Sequence, residues 1–206
     1  MQEVLAIIGK RPIKGFSKTR LAKDLGEDKA LVLYRAFIDD FFKLIPKKYK
    51  IYFFGTPNDA ATKKYFQEIT ELNFFFQKEL PFFARLKDIF KTIERLEGAE
   101  CFVHLTGTDI PDFPFAELES VGEDADVYVG PDRDGGYYYI GAKSGRQDIF
   151  DISVADGSRS VFTKTMQLCE EKGDRVRLLK EWSDIDTKAD LENSSLYEKY
   201  EKIIKK

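Results

Sequence analysis

The stretch "VLAIIG", Val4 to Gly9, decides the fold because it is short, continuously apolar and closed by a glycine. Four further runs share these properties: "KIYFFG" from Lys50, "CFVHLTG" from Cys101, "ADVYVG" from Ala125 and "YYYIG" from Tyr137. Short apolar runs without alternation are typical of strands that are covered on both faces. They predict a mostly parallel sheet flanked by helices.

Helical patterns occupy the segments between these runs. Three sets of residues recur at helical spacing: Leu33, Phe37, Phe41 and Leu44; Leu86, Ile89, Phe90, Ile93 and Leu96; Phe162, Thr165, Met166 and Cys169. In "FFFQKELPFF", Phe74 to Phe83, Pro81 breaks any helix, and we expect the phenylalanines in the core. The alternation of strands and helices predicts a single doubly wound α/β domain over residues 1–206.

The composition narrows the functional class. The 206 residues are 43% hydrophobic and 33% charged, which is ordinary for a soluble globular protein. The net charge of -3 is not the basic footprint of a protein that binds nucleic acid. No run has the length of a membrane span and no signal core follows Met1, so a cytoplasmic location is expected. Cys101 and Cys169 are expected to be reduced structural thiols.

The loop after the first run, "GKRPIKGFSKTRLA", is rich in positive charge. It holds five basic residues: Lys10, Arg11, Lys14, Lys18 and Arg20. Ligands of open α/β sheets bind beyond the carboxyl ends of the strands, and a phosphate would relieve the repulsion among these cations. The spacing of a Walker loop is absent. A solvated basic loop is the alternative, but the position after the first strand favours phosphate.

Two later loops carry carboxylates. Asp109 in "LTGTDIPDFP" follows a predicted strand directly, and oxygen ligands there suit Mg²⁺ or Mn²⁺. Asp184 and Asp186 in "WSDIDTKADLE" stand two residues apart, so an extended backbone points both to one side. The alternatives are caps: Asp109 for a helix near Phe115, and Asp186 for the helix that follows it.

The stretch "VGPDRDGGYYYIG", Val129 to Gly141, interrupts a strand pattern with two glycines. Gly135 and Gly136 predict either a hairpin turn or a close approach of the backbone to a ligand, with Asp132 to Asp134 at its rim. Other chemistries lack their residues. His104 is the one histidine and lies in an apolar run, which favours a core residue, and no G-x-G-x-x-G follows the first strand.

These motifs, in this order, resemble those of small bacterial glycosyltransferases associated with radical-SAM and selenium-containing domains. That family is similar to the GT-A nucleotide-diphospho-sugar transferases and more distantly to phospholactate and molybdenum-cofactor guanylyltransferases. The resemblance runs over nearly the whole chain and rests on "KTRLA" combined with "DGGYYYIG". It implies a Rossmann-like GT-A fold.

The resemblance also implies roles for particular residues. Lys18, Thr19 and Arg20, together with Lys10, are expected to bind nucleotide phosphates. Asp109, Asp184 and Asp186 are expected to hold the cation. On the acceptor side the expected residues are Asp134 as a base, with Gly135, Gly136 and Ser158 binding substrate. Two departures stand out: "QKELPFFARL" keeps Gln77 but not the glycines that usually follow it, and "DGSRSVF" lacks the usual tryptophan.

The expected function is metal-dependent transfer of a glycosyl group from a nucleotide sugar to a small-molecule acceptor. A divalent cation, Mg²⁺ or Mn²⁺, with Lys18 and Arg20 would stabilise the charge that develops on the departing diphosphate. One alternative is nucleotidyl transfer from a nucleoside triphosphate to a small phosphorylated acid. An alternative of another class is a non-catalytic nucleotide-binding module.

Overall fold

The computed structural model describes residues 2–122, 124–152 and 160–205. In these residues seven strands form one sheet. They are β1 (Glu3–Lys10), β2 (Lys50–Thr56), β3 (Asn73–Phe76), β4 (Phe102–Gly107), β5 (Val127–Pro131), β6 (Tyr137–Lys143) and β7 (Val176–Leu178).

Helices cover the sheet and connect most of its strands. The α-helices of the described residues are α1 (Thr19–Leu25), α2 (Glu27–Leu44), α3 (Ala60–Gln67), α4 (Phe82–Glu97), α5 (Val161–Glu171), α6 (Lys188–Glu192) and α7 (Tyr197–Ile204). Two short 3₁₀ helices, Phe115–Ser120 and Gln147–Phe150, lie between strands. α4 begins directly after Pro81, where the sequence predicts a break.

The strand order is β3-β2-β1-β4-β6-β5-β7. Four neighbouring pairs are parallel, and only β6 runs antiparallel to its neighbours β4 and β5. The antiparallel direction of β6 follows from its short connection to β5, since a hairpin reverses the chain. The sheet is therefore mostly parallel, as the sequence predicts.

The sheet is buried on both faces, which explains why its strands lack alternation in sequence. Successive residues of β2 enter opposite cores: Phe53 packs on the side of α2, and Phe54 packs on the side of α4. Phe37 and Phe41 of α2 fill the first core, much of which is aromatic. The predicted helical faces are correct except at their ends: Leu44 and Leu96 lie in last turns and are exposed.

β3 and β7 are the two strands that the sequence did not predict. Both lie at sheet edges and have only four and three residues. The phenylalanines of β3 are half-buried rather than fully in the core. His104 is a core histidine as expected: it has no exposed surface, and its Nδ1 lies 2.9 Å from Tyr139 Oη. Cys101 and Cys169 are buried and form no disulfide.

The order of the strands fixes where a ligand can bind. β1 lies between β2 and β4 and is parallel to both. After β1 the chain continues through α1 and α2 to β2, which lies on one side of β1, and β4 lies on the other side of β1. Ligands of open α/β sheets occupy the crevice beyond the strand ends at such a switch. Here β1 ends at Lys10 and β4 ends at Gly107, beside Ile8 of β1.

Candidate active site

Three carboxylates meet beyond the ends of β1 and β4. Asp109 follows β4, and Asp184 and Asp186 lie in the extended segment before α6. One oxygen from each lies within 4.8 Å of the others. The backbone N–H of Ile185 donates to the carbonyl oxygen of Asp109, 3.3 Å away, and so ties the two segments together. The structure thus brings together the three residues for which the sequence predicts a cation site.

A glycine makes room for the first of these carboxylates. A Cβ atom at Gly107 would lie 2.6 Å from Asp109 Oδ1, which is closer than two such atoms can approach. Any side chain at this strand end would displace the Asp109 carboxylate. The glycine that closes this apolar run is therefore part of the site as well as of the fold.

The ammonium group of Lys18 lies among the carboxylates. Its Nζ is 3.2 Å from Asp109 Oδ2 and 2.5 Å from Asp186 Oδ1, and only 5% of the side chain is exposed. The Lys18 backbone is left-handed, with φ 48° and ψ 45°, immediately before α1. That conformation costs a residue with a side chain roughly 1–2 kcal/mol. The ion pairs with Asp109 and Asp186 offset this cost and stabilise a backbone conformation that is unusual at the start of a helix.

The positive charges of Lys18 and Arg20 do not compensate the three carboxylates of this cluster equally. Burial alone lowers the pKa of Lys18, but Asp109, Asp186 and Asp184 outweigh it and hold the pKa above its usual value. Burial raises the pKa of Asp186, but Lys18 and Arg20 reverse that effect and lower it. For Asp184 the balance is reversed: burial first, then the charges of Asp109 and Asp186, raise its pKa to about 8, and Lys18 opposes the shift only in part. Added positive charge would stabilise the ionised cluster.

The donor atoms fit a hard divalent cation. All three side chains offer oxygen, the ligand that Mg²⁺ and Mn²⁺ prefer, and no sulfur or imidazole takes part. Lys18 already neutralises part of the negative charge, so a bound cation would compete with its ammonium for Asp109 and Asp186. The residues present therefore fit the cation that the sequence predicts, and Lys18 competes with that cation for the carboxylates.

The five cations of the first loop do not act together. Arg20 contacts Asp186 beside Lys18. Arg11 instead pairs with Asp59 at 3.0 Å, and Lys14 pairs with Asp28 on the surface. Lys10 Nζ lies 5.6 Å from the centroid of the Phe16 ring. The loop thus divides its charge, and Lys10, Lys18 and Arg20 are the cations that line the crevice.

We name the crevice between the ends of β1 and β4 the cationic cavity. Its volume is about 500 Å³, and Thr19 and Tyr34 also line it. Its charged lining residues among those described are basic Lys10, Lys18, Arg20 and Arg85 and acidic Asp109 and Asp186. The excess of positive charge suits an anionic ligand.

Arg85 is a residue of this cavity that sequence reasoning missed. Its Nη1 donates to Gln77 Oε1 at 3.1 Å, and its buried Nε has no hydrogen-bond partner. Gln77 Nε2 donates to the carbonyl oxygens of Gly9 and Phe54. Gln77 therefore links β1, β2 and α4 through hydrogen bonds, and Arg85 is the donor of the bond from α4. The only signal in the sequence was the place of Arg85 in "QKELPFFARL".

A second cavity, which we name the acidic cavity, lies on the other side of the cluster. Its volume is about 860 Å³, and it shares Arg20 and Asp186 with the cationic cavity. Its acidic residues are Asp112, Asp132, Asp134, Glu181, Asp184, Asp186 and Asp190, and its basic residues are Arg20, Arg133 and Lys180. Trp182 forms part of its wall, with Nε1 donating to Asp112 Oδ1 at 3.2 Å. The excess of charge is negative here.

The double glycine forms the β5–β6 hairpin turn at the edge of the acidic cavity. Gly135 has φ 91°, a conformation that favours glycine, and the Gly136 N–H donates to Asp134 Oδ1 at 3.0 Å. Asp132, Arg133 and Asp134 line the cavity, whereas Gly135 and Gly136 are not among its lining residues. The turn thus presents charged side chains to the cavity, and direct contact of the glycines with substrate stays a prediction.

Asp132 is placed more deeply than Asp134. Asp134 is exposed, whereas Asp132 is half-buried. Burial first, and then the charge of Asp134, raises the pKa of Asp132, although backbone N–H groups, including that of Asp184, partly oppose the shift. Of the two carboxylates on the turn, Asp132 is the one whose surroundings favour taking up a proton.

The two capping alternatives are wrong. Thr187, not Asp186, is the N-cap of α6: its hydroxyl accepts the Asp190 N–H, and the Asp190 carboxylate accepts the Thr187 N–H. The 3₁₀ helix at Phe115 follows Pro114 and has no side-chain cap, so Asp109 does not cap it.

Ser158 lies outside the described residues. Within the described ranges, no helix combines the length and apolar character needed to cross a membrane.

A family model described as "Uncharacterized protein conserved in bacteria (DUF2064)" matches residues 45–154, more than half of the chain. The chain belongs to this family. The matched part of this DUF2064 protein includes Arg85, Asp109 and the β5–β6 hairpin. No curated protein matches the chain.

Solved structures resemble the DUF2064 chain over its whole length. A Desulfovibrio desulfuricans G20 protein, whose name proposes a nucleotide-diphospho-sugar transferase, is 28% identical, with a TM-score of 0.86 over 100% of this chain and 98% of that one. A 4-diphosphocytidyl-2C-methyl-D-erythritol synthase of Anaerococcus prevotii DSM 20548 is 12% identical, with a TM-score of 0.60 over 96% and 99%.

A CMP:2-keto-3-deoxy-manno-octonic acid synthetase in complex with CTP is 10% identical, with a TM-score of 0.56 over 98% and 100%. At these low identities the two synthetases show the fold alone. The fold is that of the nucleotide-diphospho-sugar transferases, as predicted.

Proposed function

We propose that this DUF2064 protein is a metal-dependent transferase that moves a glycosyl group from a nucleotide sugar to a small-molecule acceptor. One observation carries the proposal: Lys18 and Arg20 meet the carboxylates of Asp109, Asp184 and Asp186 between two cavities of opposite charge. The structure of the Desulfovibrio desulfuricans protein matches the whole chain, and the name of that protein supports the same class of reaction.

The cationic cavity is the proposed donor site. A nucleotide sugar brings a diphosphate, and the basic excess of this cavity attracts it. As the bond to the sugar breaks, negative charge builds on the departing diphosphate. Lys18 and Arg20 are placed to stabilise that charge, and stabilisation of developing charge is commonly the largest single contribution to catalysis. Lys10 and Thr19 would supply further phosphate contacts.

Asp109, Asp184 and Asp186 are the proposed ligands of Mg²⁺ or Mn²⁺. When bound, the cation would add positive charge beside the phosphates. The raised pKa of Asp184 is consistent with this assignment, because burial is its first cause and the negative charges of Asp109 and Asp186, which Lys18 does not fully offset, add to it. On binding phosphates, Lys18 would leave Asp109 and Asp186 to the cation.

The acidic cavity is the proposed acceptor site, and its turn would supply the base. A base must take the proton of the acceptor group as the new bond forms. The sequence predicts Asp134 for this role. We propose Asp132 as the stronger candidate, since burial raises its pKa whereas Asp134 is exposed.

The proposal is tested by donor binding and turnover. Thermal shifts would be measured with UDP, GDP, ADP and CDP, each with and without Mn²⁺. The nucleotide sugars of any stabilising base would then be assayed for release of the nucleoside diphosphate. We expect metal-dependent stabilisation by at least one nucleotide and turnover of its sugar, because a ligand that binds only the folded state raises stability.

The Asp109→Ala variant should lose both responses. Asp28→Ala is the matched control, because Asp28 is an exposed aspartate that pairs with Lys14 away from the cluster. Unchanged metal-dependent turnover in Asp109→Ala would refute the proposal. Nucleotide binding without any turnover would favour the non-catalytic module instead.

Nucleotidyl transfer is the second candidate. The observation in its favour is that four basic side chains line the cationic cavity, enough to bind a triphosphate. The products separate the two reactions. Release of pyrophosphate from a nucleoside triphosphate would support nucleotidyl transfer, and release of a nucleoside diphosphate from a sugar nucleotide would support glycosyl transfer.

A further inference from the structure

The charge of the acidic cavity bears on which acceptor the enzyme takes. We infer that the acceptor is an uncharged or cationic compound that bears hydroxyl or amino groups, and not a phosphorylated acid. This inference rests on the proposed function, because it assumes that the acidic cavity receives the acceptor. It adds the chemical class of a substrate that neither the family nor the neighbouring structures identify.

The basic residues of the acidic cavity are largely engaged by the protein itself. Arg20 contacts Asp186, and Arg133 Nε lies 3.2 Å from Glu181 Oε1. Lys180 Nζ lies 5.3 Å from the centroid of the Trp182 ring. A phosphate entering this cavity would have to compete with carboxylates for Arg20 and Arg133. It would also face seven acidic side chains among the described lining residues.

Several acidic residues, by contrast, have no cationic partner. Within the described part of the chain, Asp132, Asp134 and Asp184 form no ion pair. When ionised, a carboxylate only accepts hydrogen bonds, so a ligand that supplies donors suits these side chains better than one that supplies only acceptors. Hydroxyl and ammonium groups are donors, whereas a phosphate dianion offers none and is repelled.

A second, independent observation also points to a polar ligand. Ser183 lines the acidic cavity, and its Oγ is buried without a hydrogen-bond partner. Buried polar groups are normally paired, and an unpaired hydroxyl beside a cavity fits a partner supplied by a ligand. Trp182 adds an apolar wall suited to a carbon skeleton. Carboxylates, a hydroxyl and an indole together suit a polyol or an amino sugar.

The reaction balances with such an acceptor. The oxygen or nitrogen of the acceptor forms the new bond to the sugar carbon, and the bond from that carbon to the diphosphate oxygen breaks. The bonding electrons leave with the nucleoside diphosphate, and the acceptor proton passes to Asp132 and then to solvent. In the alternative nucleotidyl transfer, a phosphate oxygen of the phosphorylated acid would attack the α-phosphorus of a nucleoside triphosphate, and the bond to the departing pyrophosphate would break. The acidic cavity would repel the phosphate of that acid.

The test proceeds in two stages. In the first stage the whole chain is titrated with nucleoside diphosphate and Mn²⁺, and failure to bind refutes the proposed function. In the second stage the nucleotide-loaded protein is titrated with matched pairs at low salt: glucose, galactose, glucosamine and glycerol, each against its phosphate ester. The two stages separate failure of the proposed function from failure of this inference.

We expect at least one parent compound to bind at least tenfold more tightly than its ester. Tighter binding of an ester, or binding of no parent compound, would overturn the inference.

A charge reversal sharpens the test. Glu181→Lys changes two units of charge at the acidic cavity, and we expect it to narrow the preference for parent over ester by about fivefold at low salt. Glu100→Lys is the matched control, because Glu100 is exposed and precedes β4 at the opposite end of the strands. A preference that is unchanged in Glu181→Lys, or changed equally in Glu100→Lys, would contradict the electrostatic basis of the inference.

Discussion

The cationic and acidic cavities lie on either side of Asp186, yet they carry opposite excess charge. The cationic cavity draws its basic residues from the end of β1, the start of α1 and the first turn of α4. Most carboxylates of the acidic cavity come from the β5–β6 turn and the segment before α6, and Asp112 after β4 and Asp190 in α6 complete them. Arg20 and Asp186 belong to both. This difference is the basis of the proposal that one cluster stands between an anionic donor and an acceptor that is not anionic.

The largest effect is expected where the two cavities meet. Asp186→Asn removes the carboxylate that contacts both Lys18 and Arg20 and supplies a proposed cation ligand. We expect transfer to fall by about 10² to 10³-fold, since loss of one charge-stabilising group commonly costs that much. Initial rates at saturating Mn²⁺ measure the effect. Asp28→Asn should retain wild-type rates, and a fall of less than threefold in Asp186→Asn would contradict the shared role.

A smaller effect, confined to one side, is expected at the acidic cavity. Asp132→Asn removes the proposed base but leaves every charged residue of the cationic cavity in place. We expect kcat to fall by about 10²-fold, within the usual contribution of a general base, while the affinity for the nucleoside diphosphate stays within twofold. Steady-state kinetics and calorimetric titration separate the two quantities. If Asp134→Asn instead shows the larger loss in kcat, Asp134 is the base.

The sequence predicts the centre of this molecule better than its edges. β1, β2 and β4 could be predicted because burial on both faces requires continuous apolar runs. β3 and β7 could not be, because three or four residues at an edge owe their conformation to the neighbouring strand. Strand propensity is weak compared with such tertiary context.

The same distinction applies to the site. Lys18, Asp109 and Asp186 follow strands or precede a helix, and the rule that ligands bind at strand ends is enough to propose that they meet. Arg85 approaches from the first turns of α4, and only the packing of that helix against the sheet places it in the cationic cavity. The ion pairs that hold Arg11 and Lys14 away from the cluster could not be predicted either, since their partners Asp59 and Asp28 lie in other parts of the chain.

Lys18→Met should affect two ligands in opposite directions. Loss of a charge-assisted phosphate contact should weaken nucleoside diphosphate binding by about 10 to 100-fold. Binding of Mn²⁺ alone should become tighter, because the ammonium that competes for Asp109 and Asp186 is gone. Calorimetric titration measures both affinities, with Lys14→Met as a control at an exposed lysine of the same loop. Parallel loss of both affinities would show that Lys18 supports the cation site rather than competes for it.

The smallest effect is expected at Arg85, at the far side of the cationic cavity. Its Nε is buried without a partner, and a donor ligand with an acceptor oxygen would satisfy it. Arg85→Met keeps much of the packing volume, and we expect the KM for the donor to rise by about tenfold while the KM for the acceptor stays unchanged. Arg95→Met, on the exposed last turn of α4, is the matched control. Because Arg85 lines the cationic cavity and not the acidic cavity, an equal rise in both KM values would mean that the two cavities are not separate binding sites.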